Sequence, residues 1–415
     1  MQQIWRPYTQ MKTAEPPAWI DRAEGALLYS KEGHAIIDGI SSWWVNLHGH
    51  AHPRIAAAIA EQASQLEHVI FAGFTHAPAE RLTAKLIAQL PEGQNHVFFS
   101  DNGSTAVEVA LKMAIQSQGP GRQGILAFEH AYHGDTFGAM SVSGASLFTA
   151  PFSSYLFDVQ RIPAPTPGRE AEALDCLNKH LKQGSYSAFI FEPLIQGTAG
   201  MVVHCAQTLS RMMDLCHQYQ VITIADEVMT GFGRTGTLFA SDQLSCKPRI
   251  MCFSKGLTGG FLPMGATSCD SSLFESFLSD DPKKTFFHGH SYTGNPIGCA
   301  AALESLRILL SNECQHQITW ISQQHAAFAD RIKAHPHLAD LRRLGTILAL
   351  EIRADSGYLS TLRHDLYTFC LNRGVLLRPL GNVLYTIPPY CITSEQLQQI
   401  HETMEAALST LGTTR

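Results

Sequence analysis

The 415-residue chain predicts an α/β fold, a large domain with a mainly parallel sheet flanked by helices plus a smaller α+β domain built from the two chain ends. Three observations carry this. Between His96 and Cys269, short apolar runs alternate with segments of helix length, the signature of βα crossovers. Polar and small residues gather directly after those runs, where open α/β sheets bind ligands. From about Ala300 the alternation gives way to helical stretches and isolated strands. The predicted divisions are 1–52, an N-terminal segment and hairpin belonging to the small domain, then 53–300 for the large domain and 301–415 for the rest of the small one.

Taken in order, residues 1–24 read as irregular and hold Trp5, Pro7 and Tyr8, aromatics that either plug a groove or line a pocket. Ala26–Ile36, broken at Lys31-Glu-Gly33, predicts a hairpin. Ile40–Gly49 carries the adjacent Trp43 and Trp44; on a strand the two face opposite ways, so one is core and the other is free to face a cavity. Pro53–His68 has helical spacing at Ile55, Ile59, Ala63 and Leu66, and a second helix is expected over Ala79–Leu90.

His96–Ser100 is the first strand of the alternation. The turn Asp101-Asn-Gly103-Ser104-Thr105 leads into a helix over Ala106–Gln116. Strand, Gly/Ser turn and helix place free N–H groups at a helix N-terminus, which is either an ordinary capped helix or a cup for phosphate. Further strands are expected at Gly124–Glu129, Ser187–Phe191 ending in Glu192, and Val221–Ala225 ending in Asp226-Glu227. Another ends in Ser254-Lys255 before a glycine-rich turn, and the last covers Gly265–Cys269. A lysine at the mouth of an apolar strand is partly desolvated, which lowers its pKa and makes the free amine a nucleophile for a Schiff base. Gly231-Phe-Gly233-Arg-Thr-Gly236 matches a dinucleotide fingerprint, but the acids Asp226 and Glu227 lie just upstream and no helix follows, so it is rejected as one. A long helix from Ala300 to about Ala334, a strand over Leu344–Ile352, a helix over Leu359–Asn372 and strands around Gly381 complete the chain. Thr393-Ser-Glu-Gln396 is a capping box that opens a final helix with Leu397, Ile400, Met404 and Leu408 on one face.

Composition narrows the function. The chain is 45% hydrophobic and 16% charged with net charge -6, which suits a large folded core, and the absence of a basic block argues against a nucleic-acid partner. Ten cysteines without a Cys-x-x-Cys pair read as buried apolar residues of a reducing compartment. No secretory signal pattern and no membrane-length apolar run occur, so a cytoplasmic location is expected. His48, His50 and His52, and likewise His288 and His290, lack partners at ligand spacing, so no metal site is expected.

Four strand ends thus deliver Ser104, Glu192, Asp226 and Lys255 to one sheet edge. A lysine, two acids and a phosphate cup are what a phosphorylated aldehyde cofactor needs. At these residues the chain resembles the class III, fold type I aminotransferases that use pyridoxal phosphate (PLP), over essentially its whole length. The resemblance stands on Trp5-Arg-Pro-Tyr8-Thr9, Ser41-Ser-Trp43-Trp44, Asp101-Asn-Gly-Ser104, Tyr132-His-Gly-Asp135, Asp226-Glu227, Gly231-Phe-Gly-Arg234, Ser254-Lys255-Gly and Leu377-Arg378-Pro379. The Asp-Glu and Lys-Gly motifs mark the class; the Trp-Trp, Pro-Tyr-Thr and Arg-Pro motifs mark one member enzyme within it.

The resemblance implies the following roles. Lys255 forms the imine with the cofactor and shuttles the proton, Asp226 pairs with the pyridine nitrogen, and Glu192 lies beside it. Tyr132 stacks on the ring with Val228 on its other face. Gly103 and Ser104 bind the phosphate, as does Ser291 reaching over from a second subunit of a homodimer with shared active sites. Tyr8, Trp43 and Tyr132 shape the substrate pocket together with Gly289. Arg378 takes a substrate carboxylate, since a guanidinium fork suits two oxygens, and Arg234 supports that pocket less directly. The alternatives are a class III enzyme for ω-amino acids or ornithine, against which Tyr8 and the Trp pair speak, and a PLP-binding protein without turnover. Arg6, Asn102 and His290-Ser291-Tyr292 depart from the common pattern without removing a chemical role.

Overall fold

Seven strands make the central sheet of the computed structural model, which describes residues 3–354 and 361–412. They are β1 (Gln94–Ser100), β2 (Gly124–Phe128), β3 (Gln160–Ile162), β4 (Tyr186–Phe191), β5 (Ile222–Asp226), β6 (Ile250–Phe253) and β7 (Gly265–Asp270). The spatial order is β1-β7-β6-β5-β4-β2-β3. Every neighbouring pair is parallel except the two made by β7, which is antiparallel to both β6 and β1. β4, β5 and β6 are buried along their whole length. Helices cover both faces of such a sheet, which is why these strands are continuous apolar runs without alternation. Because β1, β2, β4, β5 and β6 run the same way, their carboxyl ends emerge at one edge.

The chain ends meet in a second sheet. Ile20–Glu24, Leu27–Ser30 and Ala35–Asp38 form an antiparallel meander, and Val375–Leu376 adds to Ala35–Asp38 in parallel. A three-stranded sheet of Leu338–Leu344, Ile347–Ile352 and Val383–Thr386 packs against the helix Asn312–Ile332, while the last helix, Ser394–Leu411, lies against the helix Thr361–Leu371 and the strand Val375–Leu376. The last helix opens on the expected capping box: the Gln396 N–H donates to the Thr393 hydroxyl at 3.3 Å and the Thr393 N–H to the Gln396 side chain at 3.0 Å.

Several elements differ from expectation. Ile20–Glu24 is a strand, not irregular chain; it is mostly exposed, so its sequence carries no apolar alternation. The single helix expected from Ala300 to Ala334 is two, Pro296–Leu309 and Asn312–Ile332, because the Ser311 hydroxyl accepts the Cys314 N–H and starts a new helix. The expected division at 300 falls inside the first of them. Leu338–Leu344 is an added strand whose Asp340, Arg342 and Arg343 obscure its period. The start of the expected helix over Leu359–Asn372 lies outside the described residues; the rest is helical over Thr361–Leu371.

The largest departure is at the tryptophan pair. Ser41, Ser42, Trp43 and Trp44 have φ of 51°, 45°, 70° and 74°, a left-handed turn rather than a strand. For non-glycine residues that conformation costs roughly 1–2 kcal/mol each. Asp38, Ile387 and Arg234 offset the cost by direct hydrogen bonds to the turn and its flanks: Ser42 Oγ to Asp38 at 2.7 Å, Ser41 Oγ to the Ile387 carbonyl at 2.8 Å, and Arg234 to the Trp44 and Asn46 carbonyls at 3.4 and 3.0 Å.

Candidate active site

Two connected chambers open at the carboxyl edge of the sheet. The inner one, about 500 Å³, is lined by Gly103, Ser104, Glu192, Asp226, Val228 and Lys255, with Tyr132 and Trp44 on the shared wall. The outer one, about 400 Å³, is lined by Tyr8, Trp43, Phe148 and Arg378, and it shares Trp44, Tyr132 and Lys255 with the first.

β6 delivers Lys255, which begins a tight turn at φ 44°. Burial pushes its pKa down to about 8, against the opposing pull of the Asp226 and Glu192 carboxylates. β5 delivers Asp226 and Glu227, and the pair divides. Asp226 faces the chamber, its Oδ1 accepting the Val228 N–H at 3.1 Å and its Oδ2 bonded to His133 Nδ1 at 2.7 Å. Glu227 turns away and accepts from Thr230, Ala240 and Ser241, tying down the loop that carries Gly231–Gly236. That loop has no helix behind it until the short turn at Ala240–Gln243.

β4 delivers Glu192, whose carboxylate accepts the N–H of Tyr132 at 3.1 Å and of Gly197 at 3.0 Å. Burial raises its pKa to about 7. β1 leads into the helix Gly103–Gln118, where Asn102 and Thr105 form a reciprocal cap. The expected cap is present. The cap consumes the Thr105 N–H and, among the described residues, leaves the N–H groups of Gly103 and Ser104 without an acceptor. Gly103 is required for closeness, since a Cβ there would sit 2.8 Å from Val228 Cγ1. Gly134 is likewise needed, for a Cβ would come 2.1 Å from Ser104 Oγ.

In the outer chamber Tyr8 donates to Asp135, approaches the Tyr132 hydroxyl at 3.3 Å, and meets Trp43 and Phe148 edge-on at 5.5 and 5.4 Å. Burial and the neighbouring Tyr8 and Asp135 raise the Tyr132 phenol pKa, so the hydroxyl stays protonated. Arg378 lies with Cζ 4.4 Å from the Trp43 ring centre.

Three expected residues stand apart. Arg234 lines neither chamber; it is 1% exposed and its hydrogen bonds go to the carbonyls of Pro388, Trp44 and Asn46, so it holds the wall rather than touching a substrate. Gly289 and Ser291 are exposed on a loop outside both chambers of this chain. Of the clustered histidines, His48 bonds to Ser305, His50 to Asp38, and His288 meets Lys112. Among the described residues no group of three or more His, Cys, Asp or Glu could hold a metal, and no helix is long and apolar enough to cross a membrane.

Sequence reasoning quoted His133 and Asp135 within the Tyr132-His-Gly-Asp135 motif but gave neither a role; His133 fixes Asp226, and Asp135 fixes Tyr8. Their position in the polar loop after β2 was the available signal.

The sequence matches the family described as aminotransferase class-III over residues 8–408. It is 48% identical to the adenosylmethionine-8-amino-7-oxononanoate aminotransferase of Synechococcus elongatus, across 96% of each chain. The solved structure of the enzyme of that name from Methanocaldococcus jannaschii superposes with a TM-score of 0.93 at 34% identity, covering 98% of this chain and 97% of the other. An amine transaminase from an uncultivated Pseudomonas species, solved in a PLP-bound form, gives 0.92 at 28% identity over 99% of both chains.

Proposed function

The chain belongs to the class-III aminotransferases, and on that premise we propose that it transfers an amino group to 8-amino-7-oxononanoate, forming 7,8-diaminononanoate in biotin biosynthesis, with PLP as cofactor and S-adenosylmethionine as donor. The observation that carries this is the convergence of a neutralisable lysine, a fixed carboxylate and an anion cup in one chamber, joined to a second chamber with an arginine at its wall.

The inner chamber fits PLP on its own features. The two free N–H groups of the helix start, with the helix dipole behind them, suit a phosphate dianion. Gly103 leaves the space a Cβ would fill between that cup and Val228. When bound, PLP supplies an electron sink for the substrate carbon. Lys255 Nζ, half-neutral near pH 8, takes up and returns a proton on that carbon's side. Asp226, clamped by His133 and the Val228 N–H, stays in place to keep a pyridine nitrogen protonated. Glu192 fixes the Tyr132 backbone, so the phenol forms a rigid divider between the chambers. Arg378, stacked on Trp43, offers a carboxylate two parallel N–H donors, and the aromatic walls suit the alkyl chain between that carboxylate and the keto group. The protein acts as a cytoplasmic homodimer, with Ser291 of the partner subunit completing the phosphate site and Gly289 of the partner subunit bordering the substrate; the exposed loop that carries these residues supports this.

The test is a donor screen on purified PLP-loaded protein with 8-amino-7-oxononanoate as acceptor. Turnover with S-adenosylmethionine is expected. Turnover with lysine instead would change the donor. Turnover of ornithine or 4-aminobutyrate with none of the oxononanoate would overturn the substrate.

A further inference from the structure

Four successive residues, Ser41 to Trp44, hold positive φ, and the last of them lines both chambers. None is glycine, and such strain persists only where surrounding structure enforces it. The enforcement is visible. Asp38, fully buried, accepts from Ser42 Oγ and the Ile40 N–H and bonds to His50. Arg234 takes the carbonyls of Trp44 and Asn46 from behind.

The outcome of the turn is an unusual pairing. Consecutive indoles face two different cations: Trp43 lies under the Arg378 guanidinium, and Trp44 lies 4.8 Å from Lys255 Nζ. Trp44 is itself fixed on two further sides. Its Nε1–H donates to the Tyr385 hydroxyl at 3.0 Å, with the two rings edge-on. Gly197 forms its floor, where a Cβ would approach the indole to 3.2 Å.

The other charges around Lys255 are Asp226, Glu192 and Arg234. Among the described residues no carboxylate forms an ion pair with the ammonium. An ion pair would hold the amine too firmly for it to swing between substrate and cofactor. An aromatic face attracts a cation through its quadrupole without fixing a hydrogen-bond direction. It therefore locates the ammonium and still lets it leave.

We propose that Trp44 is a positioning residue for Lys255: its indole, levelled by Tyr385 and Gly197, is the seat of the free ammonium, and the strained Ser41–Trp44 turn aims that seat. This rests on Lys255 being the reactive amine of the proposed function. A cation–π seat favours the charged amine, so its removal lowers the pH at which Lys255 becomes neutral.

The experiment uses PLP-free protein and acetic anhydride as probe. Acetylation of Lys255 is followed against pH by peptide mass spectrometry, which gives the midpoint of its titration without any turnover. Trp44→Leu is expected to lower the midpoint by about one pH unit. Trp44→Phe, which keeps a weaker π face, falls between Leu and the parent. Tyr385→Phe keeps the indole but removes its acceptor, and shifts the midpoint part of the way. A merely structural Trp44 would lower the folded fraction and leave the midpoint of folded protein in place. Parental or raised midpoints in the folded Trp44 variants overturn the proposal; if Trp44→Leu does not fold, Trp44→Phe decides. A failed donor screen with a shifted midpoint removes the proposed function alone, and a successful screen with an unshifted midpoint removes the Trp44 assignment alone.

Discussion

Gly103→Ala tests the phosphate cup most sharply. The new Cβ would lie 2.8 Å from Val228 Cγ1 and 3.3 Å from Cγ2, so more than half an ångström has to be found. The helix start and Val228 are the parts that can yield. Val228 is anchored by its N–H to Asp226 at 3.1 Å, so moving it disturbs the carboxylate; moving the helix start withdraws the Gly103 and Ser104 N–H groups. Overpacking of this size costs about 1–3 kcal/mol, equivalent to a loss of PLP affinity of roughly 5- to 150-fold. The geometry also names its own rescue. Val228→Ala removes both Cγ atoms, and the Val228 Cβ is 3.6 Å from the new methyl, an ordinary contact. The double variant should therefore recover most of the affinity lost by Gly103→Ala. PLP dissociation constants measured by absorbance on the apoprotein, parent against both singles and the double, provide the assay. Parental affinity in Gly103→Ala, or no recovery in the double variant, would refute the reasoning.

Other expectations follow from the same geometry. With Lys255 at about 8, about a tenth of the amine is neutral at pH 7 against roughly one part in three thousand for an ordinary lysine. The rate of PLP capture by the apoprotein should thus rise with pH and level off by about pH 9; a rise continuing toward pH 10 contradicts the shift. Arg378→Lys loses the two-pronged fork and the stack on Trp43, and kcat/KM for the oxononanoate should fall by about 10²-fold, or about 3 kcal/mol. Lys255→Ala should abolish turnover while PLP still binds through the cup, as equilibrium dialysis would show. Asn102→Ala removes a reciprocal helix cap and should cost about 1 kcal/mol in urea unfolding.

The sheet edge was legible because an apolar run that stops at a polar residue marks a buried strand and its exit together. Ser104, Glu192, Asp226 and Lys255 all follow such exits, and all line one chamber. The wall was not legible. A Trp-Trp pair read as strand gives one core and one cavity residue, whereas the left-handed turn lets Trp44 be 4% exposed and face Lys255 at once. Nothing local predicts that turn; it is imposed by Asp38, Arg234 and the Ile387 carbonyl, which are remote or unremarkable in sequence. His133 was passed over because its role depends on contact with Asp226, 93 positions away. The resemblance gave Arg234 only a less direct, supporting part in the pocket; that it is buried against Tyr390 and bonded to backbone carbonyls could not be read from the sequence, because those partners are far along the chain.

The central claim is that Lys255 is the amine that meets the cofactor in this chamber. Borohydride reduction of the PLP-loaded protein, followed by peptide mass spectrometry, measures it directly. The pyridoxyl group is predicted on Lys255 alone; its recovery on another lysine, or no adduct despite saturating PLP, would contradict the account.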